Sequence, residues 1–324
     1  MQYNLAQIKH LLADDLSAFN RTIADSFSSD LELLKNVAKH IFTNQGKQLR
    51  PIIVMLIAKA SNYKGKQHIN VGIIIEALHL AMLLHDDVVD NSQMRRGAAS
   101  VNYKWNNATG VLVGDFIYSR SFEMIAQLNN PQILSILANA TNYIAQGEIM
   151  QLSKRDNLEI TQIEYNEIIR RKTAKLFEVA VTASLALCEQ DVLVIDKVGQ
   201  YGLELGMAFQ IIDDMLDYTG DSANLGKQIG DDLTQGNITL PIIYALEVGN
   251  PQQQTELRAV LKNRGSTGVQ NVLEIINATG AIDYARKCSD KHIKAAKNCL
   301  ADLPTSEYKD ALESLADIVI TREV

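Results

Sequence analysis

Apolar residues recur at three-to-four spacing through residues 2–25 and 29–43, the period of amphipathic helices. From about 66 to 92 the chain is apolar at nearly every position, which predicts a helix buried on all sides in a large core. Helical periodicity continues over 100–127, 132–154, 161–187 and 194–219, and residues 250–324 read as shorter helices without a motif of their own. Polar punctuation lies between them. Residues 45–51 predict a loop feeding a helix with Pro51 in its first turn, 93–99 a basic loop containing Gly97, and 220–236 a glycine-rich loop. Strict two-residue alternation is scarce, and no Gly/Ser-rich or Pro-rich linker divides the chain. The pattern predicts an all-α protein in which residues 1–324 form a single-domain bundle of long helices.

Two of these stretches carry the same polar insertion, Asp86-Asp87-Val88-Val89-Asp90 and Asp213-Asp214-Met215-Leu216-Asp217. Residues four apart on a helix are neighbours at about 5–6 Å, so Asp86 with Asp90, and Asp213 with Asp217, form two acidic ridges. A solvated helix face explains one such triplet. Two triplets, one behind Leu83-Leu84 and the other behind Phe209, Ile211 and Ile212, place carboxylates where unpaired charge is expensive. A hard cation resolves the repulsion. Magnesium, which takes a few carboxylates and shares its shell with phosphate oxygens, is the natural candidate.

Composition narrows the class. A net charge of −7 argues against nucleic-acid binding. Cys188, Cys288 and Cys299 are odd in number and lack metal-ligand spacing, which suits the reducing cytoplasm. The start, Met1-Gln2-Tyr3-Asn4, has no basic-then-apolar signal pattern, and no apolar run reads as a membrane span.

A polyphosphate also needs cations for the oxygens that metal does not reach. Lys47, Arg50, Arg95, Arg96, Lys172 and Lys227 offer them from loops and helix ends. Singly, each is an ordinary surface charge. Arg95-Arg96 lies a few residues past Asp90 and can face the same mouth, where guanidinium forks match diphosphate oxygens.

Gly46-Lys47-x-x-Arg50-Pro51, Leu84-His85-Asp86-Asp87-x-x-Asp90 with Met94-Arg95-Arg96-Gly97, and Val113-Gly114-Asp115 follow one another in the first half. Lys172-Thr173-Ala174-x-Leu176-Phe177, Phe209-Gln210-x-x-Asp213-Asp214-x-x-Asp217 and Leu225-Gly226-Lys227-x-x-Gly230-Asp231-Asp232 follow in the second. From about residue 40 to 245 this series resembles the trans-prenyltransferases, the head-to-tail isoprenyl diphosphate synthases. The segment 111–118 is similar to the family's bacterial octaprenyl branch, which makes the ubiquinone side chain.

The resemblance implies an isoprenoid-synthase fold around a deep central cavity, and a homodimer formed through about 100–153. It implies three magnesium ions held on an allylic diphosphate, such as farnesyl diphosphate, by Asp86, Asp87, Asp90, Asp213, Asp214 and Asp217. Lys172, Lys227 and Arg95 would hold the same diphosphate. Lys47, Arg50, Arg96 and His79 would take isopentenyl diphosphate, and Thr173 and Gln210 would lie beside the developing cation. Ionisation of the allylic C–O bond, attack by the alkene and loss of a proton need no nucleophilic side chain, only stabilised charge and a dry pocket. Many relatives carry lysine where this chain has Asn237, which is therefore left out of the binding set.

Residues one turn before Asp86, Ala81 and Met82, would line the product tunnel, with Phe122 and Met124 as its floor or as ordinary core. Small Ala81 and flexible Met82 predict a long product, C40 by resemblance, released through transient membrane contact. The rival classes are weaker. Glu76-x-x-His79 is half of a di-iron motif without its second half. A terpene cyclase or head-to-head synthase has no use for Lys47 and Arg50. A synthase of another product length and a non-catalytic helical partner subunit stay open. His85 reads as a packing residue and Trp105 as structural.

Overall fold

The computed structural model describes residues 2–43, 46–219, 230–265 and 267–321. Packing divides the chain into two compact units, each built from separated stretches. The first comprises Met1–Asn139, Glu178–Gly199 and Cys299–Leu315, and the second Ala140–Phe177, Gln200–Asn298 and Ala316–Val324. The boundaries fall inside helices.

In the first unit, α1 (Leu5–Leu11), α2 (Ala13–Ser26) and α3 (Glu32–Thr43) precede α4 (Leu49–Ala60) and α5 (Gln67–Val89). Nearly every side chain of α4 is buried, and α5 is buried on most of its faces, packing against α2, α4 and α7 (Asn107–Gln127). Each fully buried Ile or Leu contributes about 1.5–3 kcal/mol, so α5 is held rigidly up to the aspartates at its end. By length and composition alone α5 is long and apolar enough to cross a membrane. However, 72% of its most apolar window is buried inside the protein, as in a core helix.

Two predicted elements differ. The helix expected over 100–127 is broken into α6 (Val101–Lys104) and α7, because Asn106 is extended and its side chain caps α7 by accepting the Thr109 N–H at 2.8 Å. Asparagine is favoured at such a cap and weak in a helix interior. The loop expected over 93–99 is a small hairpin of β1 (Met94–Arg95) and β2 (Ala98–Ala99), paired Met94 to Ala99 and Arg95 to Ala98. Its two turn residues, Arg96 and Gly97, have φ of 52° and 76°, the positive values a type I′ hairpin turn requires.

The second unit takes in the C-terminal part of α8 (Pro131–Lys154), then α9 (Gln162–Ile169), the start of α10 (Lys175–Leu187) and most of α11 (Val192–Thr219). A capping box of Thr161 and Glu164 opens α9. The continuous helix expected over 161–187 instead contains a π turn at Arg170–Ala174, where the Lys175 N–H reaches back five residues to the Arg170 carbonyl. Such turns concentrate at functional sites, and this one carries Lys172 and Thr173.

Two glycines let helices close on the π turn. A Cβ on Gly147 of α8 would sit 2.8 Å from the Lys172 backbone nitrogen, and one on Gly206 of α11 would sit 2.5 Å from the Ala174 Cα. Backbone at that distance cannot yield cheaply. Gly206→Val is expected to destabilise the protein by about 2 kcal/mol through overpacking, read as a lower denaturant midpoint at unchanged slope. Beyond α11, residues 220–229 lie outside the described set, and a short helix, α12 (Asp231–Gln235), follows between Gly230 and Gly236. All three cysteines are free thiols.

Candidate functional site

In the first unit the site grows from the end of α5. Asp86 and Asp90 lie one helical turn apart and partly exposed, joined through the backbone by the Asp90 N–H to the Asp86 carbonyl at 2.8 Å. Asp87, about 100° further round the helix, turns inward and is only 3% exposed. Arg95 of the hairpin holds it, Nε donating to Oδ1 at 3.0 Å and Nη2 donating to the same oxygen. Burial pushes the Asp87 carboxyl above its usual range, Arg95 opposes that, and Asp86 and Asp90 add to it. Asn102 fixes the helix end by donating to the carbonyls of Asp87 at 3.0 Å and Ser92 at 3.1 Å.

The hairpin turn aims the neighbouring arginine elsewhere. A Cβ on Gly46 would meet the Arg96 guanidinium carbon at 2.8 Å, so the Gly46-Lys47 loop lies directly against that side chain. Arg50, buried at the start of α4, shares this neighbourhood, as the charges acting on His79 show. Burial first, then Arg50, Arg96 and Arg95, hold the His79 imidazole well below its ordinary value, so it is neutral at physiological pH. Buried Glu76, one turn before His79, is raised by burial and opposed by Arg50 and Arg96. The structure thus brings Arg50, His79, Arg95 and Arg96 together, with exposed Lys47 on the adjoining loop. A small cavity of about 50 Å³ is lined by Leu80, Leu84, Asp87, Arg95 and Arg96 among others.

Ala81 is fully buried, Met82 half-buried, Met124 buried, and half-buried Phe122 packs on Tyr118 with ring centroids 5.1 Å apart. His85 pairs with Asp115 at 3.3 Å, a structural contact. A hollow of about 430 Å³ at Lys39, His40, Lys104 and Trp105 contains none of the expected residues.

The second unit repeats the aspartate arrangement. Asp213 is exposed and Asp217 half-buried, while Asp214 between them is 5% exposed. Burial and the charge of Asp232 push the Asp214 carboxyl well above its usual range, and hydrogen bonds from Tyr165 and Gln210 oppose that shift. Asp217 accepts the Asp232 N–H through Oδ2 at 3.2 Å, which ties α12 to the end of α11. Thr173 donates to Gln210 at 2.7 Å. Lys172 donates to Glu148 on α8 at 2.7 Å. Arg171 stacks over the Tyr143 ring at 4.4 Å and binds Glu167 at 2.6 Å, a structural role. Lys227 lies outside the described residues. Buried Asn237 donates to Gln235 at 3.1 Å.

In both motifs, therefore, the middle carboxylate is buried and held within its own unit while the outer ones keep some exposure, Asp217 being tied as well to the Asp232 N–H. Among the described residues no three His, Cys, Asp or Glu side chains converge as a complete metal site. Pairs of outward carboxylates suit magnesium, which needs only one or two and completes its shell with phosphate and water. Sequence reasoning weighed Glu76 only as half of a di-iron motif and missed Asn102, Glu148 and Tyr165. Glu148 was open to discovery as a charge within a helix, whereas Tyr165 and Asn102 carry no sequence signal.

The family profile described as Polyprenyl synthetase matches residues 31–279. The chain is 40% identical over 325 residues to an octaprenyl diphosphate synthase of Escherichia coli (strain K12), covering 99% of both chains. It is 38% identical over 312 residues to an all-trans-nonaprenyl-diphosphate synthase (geranyl-diphosphate specific) of Rhodobacter capsulatus, covering 96% of both. A crystal structure of a polyprenyl synthase from Caulobacter crescentus CB15, complexed with calcium and isoprenyl diphosphate, superposes with a TM-score of 0.96 at 35% identity. That alignment covers 100% of this chain and 99% of the other.

Proposed function

The chain belongs to the polyprenyl synthetase family, and we propose that it extends farnesyl diphosphate with isopentenyl diphosphate to an octaprenyl (C40) product for quinone side chains. As a family member it is a trans-polyprenyl diphosphate synthase with the all-α isoprenoid-synthase fold. Enzymes of this family bind diphosphate through a divalent metal. The observation that carries the catalytic reading is the repeated aspartate arrangement, a buried carboxylate between more exposed ones, in two different helices, whereas the C40 length is proposed from the likeness to the octaprenyl relative.

In this reading Asp86 with Asp90, and Asp213 with Asp217, hold magnesium, three ions in the substrate complex, which neutralise charge on the departing diphosphate. Asp87 and Asp214 act behind them as anchors. Lys172, Lys227 and Arg95 bind the allylic diphosphate. Arg50, Arg96 and Lys47 bind isopentenyl diphosphate, and neutral His79 adds a ring N–H. Thr173 and Gln210 border the reacting carbon. Residues 1–324 are one synthase domain, cytoplasmic and homodimeric. The exposed Val111 and Leu112 on α7 of the first unit, and separately Ile149 and Leu152 in the second-unit part of α8, are apolar positions that dimerisation would use.

Incubating the purified chain alone with magnesium, farnesyl diphosphate and isopentenyl diphosphate tests this, with mass spectrometry of the product. A C40 diphosphate that disappears in EDTA is expected. The nonaprenyl relative makes another length the second reading, which a C45 product would establish. Absence of any product would leave the chain a non-catalytic partner subunit.

Ala81 is fully buried on α5, about one turn before Asp86, and in this reading its small side chain leaves the tunnel open. Ala81→Phe is expected to stop growth short, shifting the main product to C20 or less. An unchanged product distribution would remove Ala81 from the tunnel.

A further inference from the structure

We infer that Tyr165 is a positioning residue for the condensation, acting through Asp214 and Gln210 to aim the Thr173 hydroxyl oxygen at the reacting carbon. The inference rests on the synthase reading, in which Thr173 borders that carbon.

Four side chains in the second unit form a single hydrogen-bonded line. The Tyr165 hydroxyl contacts Asp214 Oδ2 at 2.5 Å, Gln210 Nε2 donates to Asp214 Oδ1 at 2.7 Å, and Thr173 Oγ1 donates to Gln210 Oε1 at 2.7 Å. Tyr165, Asp214 and Thr173 are all buried, the first two almost completely. Water therefore has little room to replace a lost partner, and each group depends on the next.

The line has a direction. A carboxylate oxygen accepts, so Gln210 turns its NH₂ toward Asp214 and its carbonyl toward Thr173. Thr173 then spends its one O–H on Gln210, and the lone pairs of Oγ1 are left to face outward. An oxygen presenting lone pairs stabilises a neighbouring carbocation, whereas one presenting its hydrogen opposes it. Because a phenol both donates and accepts, Tyr165 satisfies Oδ2 whether or not that oxygen carries a proton, and Oδ1 stays an acceptor for Gln210.

The backbone supports the same end. Thr173 lies in the π turn, clamped where Gly147 and Gly206 admit α8 and α11. Tyr165 stands two turns earlier on α9, its ring in the apolar core with Ile168, Ile169, Ile211 and Met215. The core fixes the phenol, the phenol fixes the carboxyl, and the carboxyl fixes the amide.

The test is Tyr165→Phe in the full-length chain, which removes one oxygen and keeps the ring. With farnesyl and isopentenyl diphosphates, kcat is expected to fall about tenfold to a hundredfold, as small misplacements at a reacting centre do. KM for isopentenyl diphosphate should stay within about twofold, and calorimetric affinity for inorganic diphosphate with magnesium within about threefold. Gln210→Met, which leaves Tyr165 and Asp214 in place, should give the same split. In the Gln210→Met background, Tyr165→Phe should add less than about twofold, since both break one line. An unimpaired kcat in Tyr165→Phe, or losses that multiply in the double variant, would overturn the inference while leaving an active wild type as support for the synthase reading. A wild type that makes no polyprenyl diphosphate removes that reading and this inference with it.

Discussion

Replacing Asp86 and Asp90 together with asparagine is expected to lower kcat by roughly 10³-fold, about 4 kcal/mol of transition-state stabilisation, with the fold intact. Both carboxylates are partly exposed, Asp86 in the last turn of α5 and Asp90 as its C-cap, and asparagine keeps their shape. The Asp90 N–H bond to the Asp86 carbonyl at 2.8 Å is a backbone contact that the substitution does not touch. On the proposed reading, what is lost is the charge with which these carboxylates would hold a magnesium ion. The magnesium concentration giving half-maximal rate should rise, and the circular-dichroism spectrum and melting point should stay close to wild type. Retention of kcat within about tenfold would show that the metal is held elsewhere. The corresponding change at Asp217 differs in kind, because its Oδ2 also accepts the Asp232 N–H and anchors the segment beyond α11.

The contrast between outer and middle aspartates shows what helical spacing can and cannot reveal. The i, i+4 relation of Asp86 to Asp90 and of Asp213 to Asp217 is local geometry, so the outward ridges were legible in the chain. Position i+1 lies about 100° away, which says only that Asp87 and Asp214 leave the ridge. Their partners come from elsewhere, Arg95 across a hairpin and Tyr165 from another helix. The hairpin itself was hidden because its I′ turn places an arginine at positive φ, where Asn, Asp or Gly would have signalled it. Likewise, hydrophobic periodicity predicted the helix over 161–187 but not the π turn inside it, since residues 173–187 are apolar and buried on most faces and so conceal the roughly 100° shift that one extra residue makes. The buried character of α4 and α5 was visible at once. The break at Trp105-Asn106 was not, because an asparagine caps a helix only where the chain is extended, as it is at Asn106, and the residue type alone does not fix that conformation.

Arg95→Met is expected to produce the largest loss of stability among single substitutions at the site, about 3 kcal/mol, and a melting point lower by roughly 5 °C. Asp87 is almost fully buried, Arg95 holds it through two donors on one oxygen, and Asp86 and Asp90 already work against its charge. Removing the guanidinium leaves a carboxylate with neither water nor a counter-charge. Methionine retains the length of the apolar stem, so the loss reports on charge rather than on packing. Adding Asp87→Asn should recover most of the stability, because a neutral amide no longer needs the guanidinium. The double variant then separates the two duties of Arg95. If the guanidinium serves only Asp87, the stabilised double variant regains wild-type affinity for the allylic diphosphate. If instead it swings between Asp87 and the diphosphate, as its 30% exposed side chain allows, stability returns while affinity stays weak. The second outcome is expected. A double variant that binds farnesyl diphosphate as tightly as wild type would confine Arg95 to a structural role.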